Sequence, residues 1–187
     1  MSATAARTRA DAVRNRARLI AAAQEVFAER GEEASVPEIA ARAGLGKGTV
    51  YRCFPTKDHL LAAVATDRIR WFEGEARAAA ASDDPWGAFL VFMERVADAH
   101  FRDRGMVGSI SQRIDLPELT AARADAHDAL RALMDRAIAQ GTMRPDADPG
   151  DFKVLLGGIA RSLSAEGEDD PAVWRRFAGL VADALRA

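Results

Sequence analysis

Cysteine and long hydrophobic runs are scarce in this sequence, and these shortages exclude several classes of protein. One cysteine among 187 residues excludes a disulfide framework and a cysteine-rich zinc site, and it fits a reducing cytosol. No run of about 18 apolar residues is present, and the first residues are polar and basic, without the apolar core of a secretory signal. We therefore expect a cytoplasmic protein with no membrane span and no secretory signal.

Strand signals are missing as well. Tyrosine occurs once, and neither alternating apolar and polar residues nor an Asn-Gly hairpin turn is found. Alanine, a strong helix former, is the commonest residue. Apolar residues make up 49% of the chain against 29% charged residues, so the chain can bury a real core. The composition predicts an all-α fold, built as one ordinary domain or two small ones.

Charge is unevenly distributed, although the formal net charge is only −2. Residues 1–60 carry ten basic and seven acidic side chains, whereas residues 61–187 carry sixteen and twenty-one. A basic front end on an acidic body hints at contact with nucleic acid at one end of the molecule only.

Cap and turn residues predict about nine helices. Asp-Pro pairs at 84–85, 148–149 and 170–171 each precede a periodic apolar stretch. They predict helix starts, because an Asp side chain can accept from the N–H groups of the first turn and Pro at the first helical position loses no hydrogen bond. Capping boxes are predicted at 35–38 and 115–118, and glycines mark helix ends. The predicted helices span residues 11–30, 36–43, 47–53, 56–81, 85–104, 107–113, 116–140, 149–165 and 171–186.

The segment from residue 36 to residue 53 predicts a helix-turn-helix. Its two helices of about two turns are too short to stand alone, and Gly44-Leu45-Gly46 joins them. In such a motif the second helix enters the major groove of DNA. Spacing alone leaves an equal alternative, a helical hairpin with a solvated basic face.

The residues around this turn resemble the signature of the tetracycline-repressor (TetR) family. Gly44-Leu45-Gly46 is followed by Lys47-Gly48-Thr49, an aliphatic residue, Tyr51, and later Phe54 and Lys57, and the likeness extends from about Arg14 to Val64. The resemblance implies a homodimeric bacterial transcription regulator, usually a repressor, that a small ligand releases from operator DNA. Two positions depart from the usual pattern: Gly46 replaces a capping Ser or Thr, and Cys53 replaces His, Asn or Tyr.

The resemblance and the chemistry of the side chains together assign a DNA-binding set. Arg suits bidentate readout of guanine, Lys beside a helix N-terminus suits a backbone phosphate, and a glycine lets the helix backbone approach the groove. The predicted DNA-binding residues are Lys47, Gly48, Thr49, Tyr51, Arg52 and Lys57.

We place a DNA-binding domain at residues 11–70 and an effector-binding and dimerisation domain at residues 71–187. The second part lacks a Gly-x-Ser-x-Gly motif, a phosphate-binding glycine loop and a His-Glu-x-x-His motif, so we predict no enzyme, no cofactor and no metal site. Residues near 143–158 also resemble SbtR-like C-terminal domains. The expected partners are double-stranded operator DNA, a small-molecule effector and a second copy of the chain, with no membrane. The alternative is a helical ligand-binding or interaction protein without specific DNA binding.

The last two predicted helices carry apolar residues on more than one face, which predicts burial against another chain. TetR-like proteins dimerise through this helix pair as a four-helix bundle. The resemblance therefore assigns to the dimer interface Phe152, Leu156, Ile159, Trp174, Phe177 and Val181. The alternative is an internal core with a kink at Gly157-Gly158.

Two further stripes predict an effector pocket. The helices at 85–104 and 116–140 each carry an apolar stripe broken by a single histidine, and ligand pockets are mostly apolar with a few placed polar groups. The predicted lining comprises Trp86, Phe89, Met93, His100, His127 and Met134. We expect a small, largely apolar effector with a hydrogen-bonding or anionic group. The alternative is a plain core in which each histidine bonds a neighbouring carbonyl.

Overall fold

The computed structural model describes residues 3–103, 114 and 116–187, and its regular structure is helical. This confirms the predicted all-α fold, with eight described α-helices against about nine expected. The predicted helix at 107–113 lies outside the described residues. The helices are α1 (Ala3–Arg30), α2 (Val36–Arg42), α3 (Lys47–Cys53), α4 (Lys57–Ala80), α5 (Pro85–Arg102), α6 (Pro117–Ala139), α7 (Pro149–Glu166) and α8 (Pro171–Ala184).

Four of the eight described α-helices start at predicted caps. Asp84, Asp148 and Asp170 cap α5, α7 and α8, and each carboxylate accepts a backbone N–H two or three residues further on, with Pro at the first helical position. The capping box at Ser35 forms as expected. The capping box expected at 115–118 begins at Asp115, which lies outside the described residues. The N-cap of α6 is Leu116, which makes no side-chain cap bond.

The first hydrophobic core, called here the head core, joins α1, α2, α3 and the first half of α4. It explains how two helices of seven residues each remain ordered, because both bury apolar side chains against longer helices. α1 begins eight residues earlier than expected and projects past this core. Members of the head core include Leu19, Phe27, Ile39, Val50, Phe54, Leu60 and Val64.

The second hydrophobic core, the body core, joins the far half of α4 to α5, α6, α7 and α8. α5 packs along α8 and α6 packs along α4. Phe92 lies at its centre, with ring centroids 5.0 Å from Phe72 and 5.9 Å from Phe152. Edge-to-face and tilted ring pairs of this kind stabilise a core beyond the area they bury.

α4 is the element that both cores share. Leu60 and Val64 are fully buried in the head core, whereas Ala76 is fully buried in the body core and Phe72 packs against it. Between them, Ala62 and Ala65 pack against Leu119 of α6. The expected domain boundary between residues 70 and 71 therefore falls inside a continuous helix. α4 connects the body core directly to the head core.

None of the helices in the described ranges is long and apolar enough to cross a membrane.

Candidate nucleic-acid interface

The turn between α2 and α3 fixes how α3 projects from the head. Gly44 has φ +62°, a left-handed conformation that favours glycine, and the N–H of Leu45 donates to the carbonyl of Ala40 at 2.9 Å. From α1, Nη2 of Arg18 donates to the carbonyl of Ala43 at 2.6 Å. Contacts from α1 and α2 thus hold the turn, and α3 leaves it in one direction.

α2 is also tied to α1 on its outer side. The guanidinium of Arg42 pairs with Glu29 at 2.8 Å and with Glu25 at 2.9 Å. The hydrogen bond from Arg42 lowers the pKa of the Glu29 carboxyl. Because these groups are exposed, each pair contributes little stability, but together they restrict the rotation of α2 on α1.

α3 turns one face into the head core and the opposite face outward. Val50 is buried against the head core. The side chains predicted to contact DNA lie on the other side: Tyr51 is 44% exposed, Lys47 and Arg52 are exposed, and Thr49 is half-buried. A Cβ added to Gly48 would meet nothing within 4 Å, so the helix backbone there faces open space. Together these residues form a surface of hydrogen-bond donors, called here the α3 face.

Contacts within the α3 face order its side chains. Nη2 of Arg52 donates to the hydroxyl of Thr49 at 3.1 Å. The ammonium of Lys47 lies 5.8 Å from the centroid of the Tyr51 ring, within the range of a cation–π contact. Both pairs join residues three or four positions apart, which are neighbours on one side of a helix.

Lys57 is the first residue of α4 and follows Thr56, whose side chain caps that helix by accepting from the N–H of His59. The Lys57 ammonium lies 6.0 Å from the centroid of the Phe27 ring. Its side chain is half-buried, so its stem is held by the head core rather than extended into solvent.

The residues predicted to line the effector pocket fall in three places. Phe89, Met93 and Met134 are buried in the body core, and the half-buried Trp86 stacks on Phe89 at 5.6 Å. His100 is half-buried near the C-terminal end of α5. His127 does not join them: its side chain is 49% exposed, and its Nδ1 lies 3.3 Å from the carboxylate of Asp128.

His100 belongs to a polar cluster that sequence reasoning missed. Arg68 of α4 forms an ion pair with Asp103, and its Nη2 donates to the carbonyl of Ala99 at 3.0 Å. Burial, and then the charge of Arg68, lower the pKa of His100 to about 4. Burial also lowers the pKa of Arg68, to about 10. The sequence contains one pattern that could have indicated this cluster: His100 and Asp103 are three residues apart and therefore lie on one side of a helix.

The residues assigned to the dimer interface also divide. Phe152, Leu156, Trp174 and Val181 are buried in the body core of the single chain, as the internal-core alternative describes, whereas Ile159 and Phe177 are only half-buried. The exposed apolar side chains of this helix pair are instead Val154, Leu155 and Leu180. Successive helical residues are turned by about 100°, so adjacent leucines had to face different ways, and this signal was available in the sequence.

Within the described ranges, no group of three or more His, Cys, Asp or Glu side chains is placed to hold a metal ion.

Two family profiles match the chain. Residues 19–64 match the profile described as bacterial regulatory proteins of the tetR family, and residues 84–187 match the profile described as the SbtR-like transcriptional regulator C-terminal domain. The first covers α2, α3 and the parts of α1 and α4 that form the head core. The second covers more than half of the chain. No curated protein matches the chain.

Solved structures agree with these matches. A TetR transcriptional regulator from Streptomyces coelicolor is 32% identical, with 91% of this chain and 98% of that one aligned and a TM-score of 0.69. A TetR transcription regulatory protein from Mycobacterium vanbaalenii is 35% identical over 96% and 99% of the two chains, with a TM-score of 0.64. SmeT, the repressor of the Stenotrophomonas maltophilia multidrug efflux pump SmeDEF, has a TM-score of 0.67 over 92% and 90%. At 23% identity, the likeness to SmeT shows the fold alone.

These matches confirm both resemblances, the TetR-family signature within about Arg14 to Val64 and the SbtR-like residues near 143–158. The chain belongs to the TetR family of bacterial transcriptional regulators.

Proposed function

We propose that the protein represses transcription by binding a palindromic operator as a homodimer, and that a small-molecule effector releases it. The observation that carries this proposal is the α3 face, where Lys47, Tyr51 and Arg52 are exposed while Val50 anchors the helix in the head core. Arg52 suits the O6 and N7 atoms of a guanine, and Lys47 a guanine edge or a phosphate. Gly48 leaves the backbone free to approach the groove.

Lys57 supplies a contact of a different kind. It lies at the N-terminus of α4, where backbone N–H groups favour a phosphate. Its ammonium lies against Phe27 of the head core, so its position relative to α3 is set by the fold. We assign it to sequence-neutral binding of the DNA backbone, with Tyr51 as a second phosphate contact through its hydroxyl.

The proposed dimer is a four-helix bundle of α7 and α8 from two copies. Val154 is 69% exposed, Leu180 48% and Leu155 39% in the single chain. Burying these apolar side chains against a second copy removes them from water. The twofold axis would direct two α3 helices to successive major grooves, about 34–36 Å apart, which is why the operator should be a pseudo-palindrome.

The proposed route of release runs along α4. Arg68 ties α4 to α5 through the Ala99 carbonyl and Asp103, and α4 continues into the head core. An effector that binds the body in a changed α4–α5 arrangement shifts the population toward a different spacing of the two heads.

The competing function is a helical ligand-binding or interaction protein without specific DNA binding. Duplex DNA retention measured at several salt concentrations separates the two. We expect steep loss of affinity with salt, as counterions return to the phosphates. Lys57→Ala should reduce the magnitude of the log–log slope by about 1 per bound chain, whereas Lys153→Ala, an exposed lysine on α7, should leave it unchanged. Weak retention that is insensitive to salt would favour the competing function.

A further inference from the structure

Three polar side chains, Arg68, His100 and Asp103, lie near one another where α4 crosses the end of α5. Arg68 pairs with Asp103 and donates to the carbonyl of Ala99. In the sequence, His100 lies between Ala99 and Asp103. Their surroundings are unlike the rest of the interior: in the described part of the chain, Thr66 is the only polar residue that is buried as a whole. Polar side chains inside this otherwise apolar part of the protein need partners that offset the cost of their burial.

His100 is incompletely satisfied within this cluster. Its Nδ1 atom is buried and has no hydrogen-bond partner among the described residues. Buried polar atoms are nearly always hydrogen-bonded in folded proteins, because an unpaired one keeps the full cost of leaving water. His100 as a whole residue is only half-buried, so the unpaired atom lies close to the protein surface, where a ligand can approach. These features indicate a ligand atom as the missing partner.

The charges of the cluster restrict what that ligand atom is. Because burial and the charge of Arg68 hold the pKa of His100 near 4, its ring is neutral at pH 7. The ion pair of Arg68 with Asp103 has no net charge, and the further charges that act on Arg68, those of Arg102 and Asp67, are also of opposite sign. A carboxylate ligand would add a second negative charge beside Asp103, and an ammonium would add a second positive charge beside Arg68. A hydroxyl is neutral, and it can donate to or accept from either tautomer of the imidazole.

We propose that the effector is an uncharged, largely apolar molecule whose hydroxyl group hydrogen-bonds to His100 beside the Arg68–Asp103 pair. The apolar part would enter the body core beside Val96 and Met93, which lie four and seven residues before His100 and are buried there. This inference rests on the proposed effector site in the body. It also places the ligand next to Arg68, the side chain through which α4 holds α5.

The chain provides its own controls for a test by nuclear magnetic resonance. It contains three histidines: His100, His59, whose Nδ1 lies 2.8 Å from the Thr56 hydroxyl, and the exposed His127. The ring nitrogens of the 15N-labelled full-length protein are recorded while 2-naphthol, naphthalene or 2-naphthoate is added, and again with 1-decanol and decanoate. Affinities are measured in parallel by calorimetry on the wild type and on His100→Phe.

We expect 2-naphthol or 1-decanol to shift the Nδ1 resonance of His100 and to leave those of His59 and His127 in place. The alcohol that causes this shift should bind about fivefold more tightly than the matched hydrocarbon or carboxylate, as one net hydrogen bond predicts. The His100→Phe variant should bind the alcohol no more tightly than those compounds. Binding of both alcohols without a shift at His100, tighter binding of a carboxylate, or binding by neither alcohol would overturn the inference. None of these measurements uses DNA, so failure of operator binding is a separate result.

Discussion

Arg52 and Lys57 are both basic and lie close together in the sequence, yet their surroundings give them different tasks. Arg52 is exposed on α3 and is oriented by the hydroxyl of Thr49 at 3.1 Å. Lys57 is half-buried at the start of the next helix, against Phe27. An exposed guanidinium on α3 suits a base edge, whereas an ammonium held against the head core suits the uniform phosphate backbone.

Arg52→Ala should therefore cost about 1–3 kcal/mol on the operator and much less on unrelated duplex DNA, which lowers the specificity ratio. Lys57→Ala should weaken both to a similar extent. Titration of each variant with operator and scrambled duplexes at one salt concentration measures the two effects. Equal losses on both duplexes for Arg52→Ala would contradict its role in base readout.

A second single residue, His100, makes the free energy of unfolding depend on pH. Its pKa is lowered from 6.5 to about 4 in the folded chain, so between these values the unfolded chain binds more protons. The contribution of the neutral ring is complete above pH 6.5 and is lost as the pH falls toward 4. Urea unfolding at fixed protein concentration should show a loss of up to about 3 kcal/mol over this range. His100→Phe should remove that component and His127→Phe should retain it; identical profiles for His100→Phe and the wild type would refute this assignment.

Among the elements, the turn between α2 and α3 has the strictest conformational demand. Gly44 adopts φ +62°, and a Cβ placed there would lie 3.1 Å from Nη2 of Arg18, the group that donates to the Ala43 carbonyl. Gly46, two residues later, has φ −72°, and a Cβ placed on it would meet nothing within 4 Å. The two glycines thus differ in backbone strain and in available space.

Gly44→Ala should destabilise the protein by about 1–2 kcal/mol because an L side chain is strained in this conformation. Gly46→Ser should change stability by only a few tenths of a kcal/mol, and favourably, because serine supplies the cap that α3 lacks. Chemical denaturation followed by circular dichroism compares them. A Gly44→Ala variant as stable as the wild type would show that the turn is not under this constraint.

Elements were predictable from sequence where the signals are local. The Asp-Pro caps of α5, α7 and α8 depend on residues next to one another, and so does the capping box at Ser35. The predicted start of α6, residue 116, lies one residue before Pro117, where the helix begins. The Arg68–Asp103 pair was missed because it joins side chains 35 positions apart, and no local pattern marks which helices will cross.

At the scale of the whole molecule, the assembly depends on which face of α7 points outward. Leu155 is 39% exposed and Leu156 is 3% exposed, although the two are neighbours and chemically identical. A charge on the first would meet water in the single chain, whereas a charge on the second would be buried in the body core without a partner. The pair therefore separates assembly from folding.

Leu155→Glu should give a folded monomer, and Leu156→Glu should unfold the body or lower its stability by several kcal/mol. Light scattering reports the mass, and circular dichroism reports the helix content. A wild-type protein that is monomeric at micromolar concentration, or a Leu155→Glu variant that remains dimeric, would contradict the proposed bundle of α7 and α8.

The central claim is that two copies of the chain read a twofold-symmetric DNA site through their α3 faces. Selection from a pool of random duplexes at about 150 mM salt tests it most directly, with the Lys47→Ala, Arg52→Ala double variant as the control. We predict enrichment of an inverted repeat whose half-site centres are about 10–10.5 base pairs apart, or a multiple of that, and no such enrichment by the control. Enrichment of no motif, of an asymmetric motif, or of the same repeat by the control would contradict the claim.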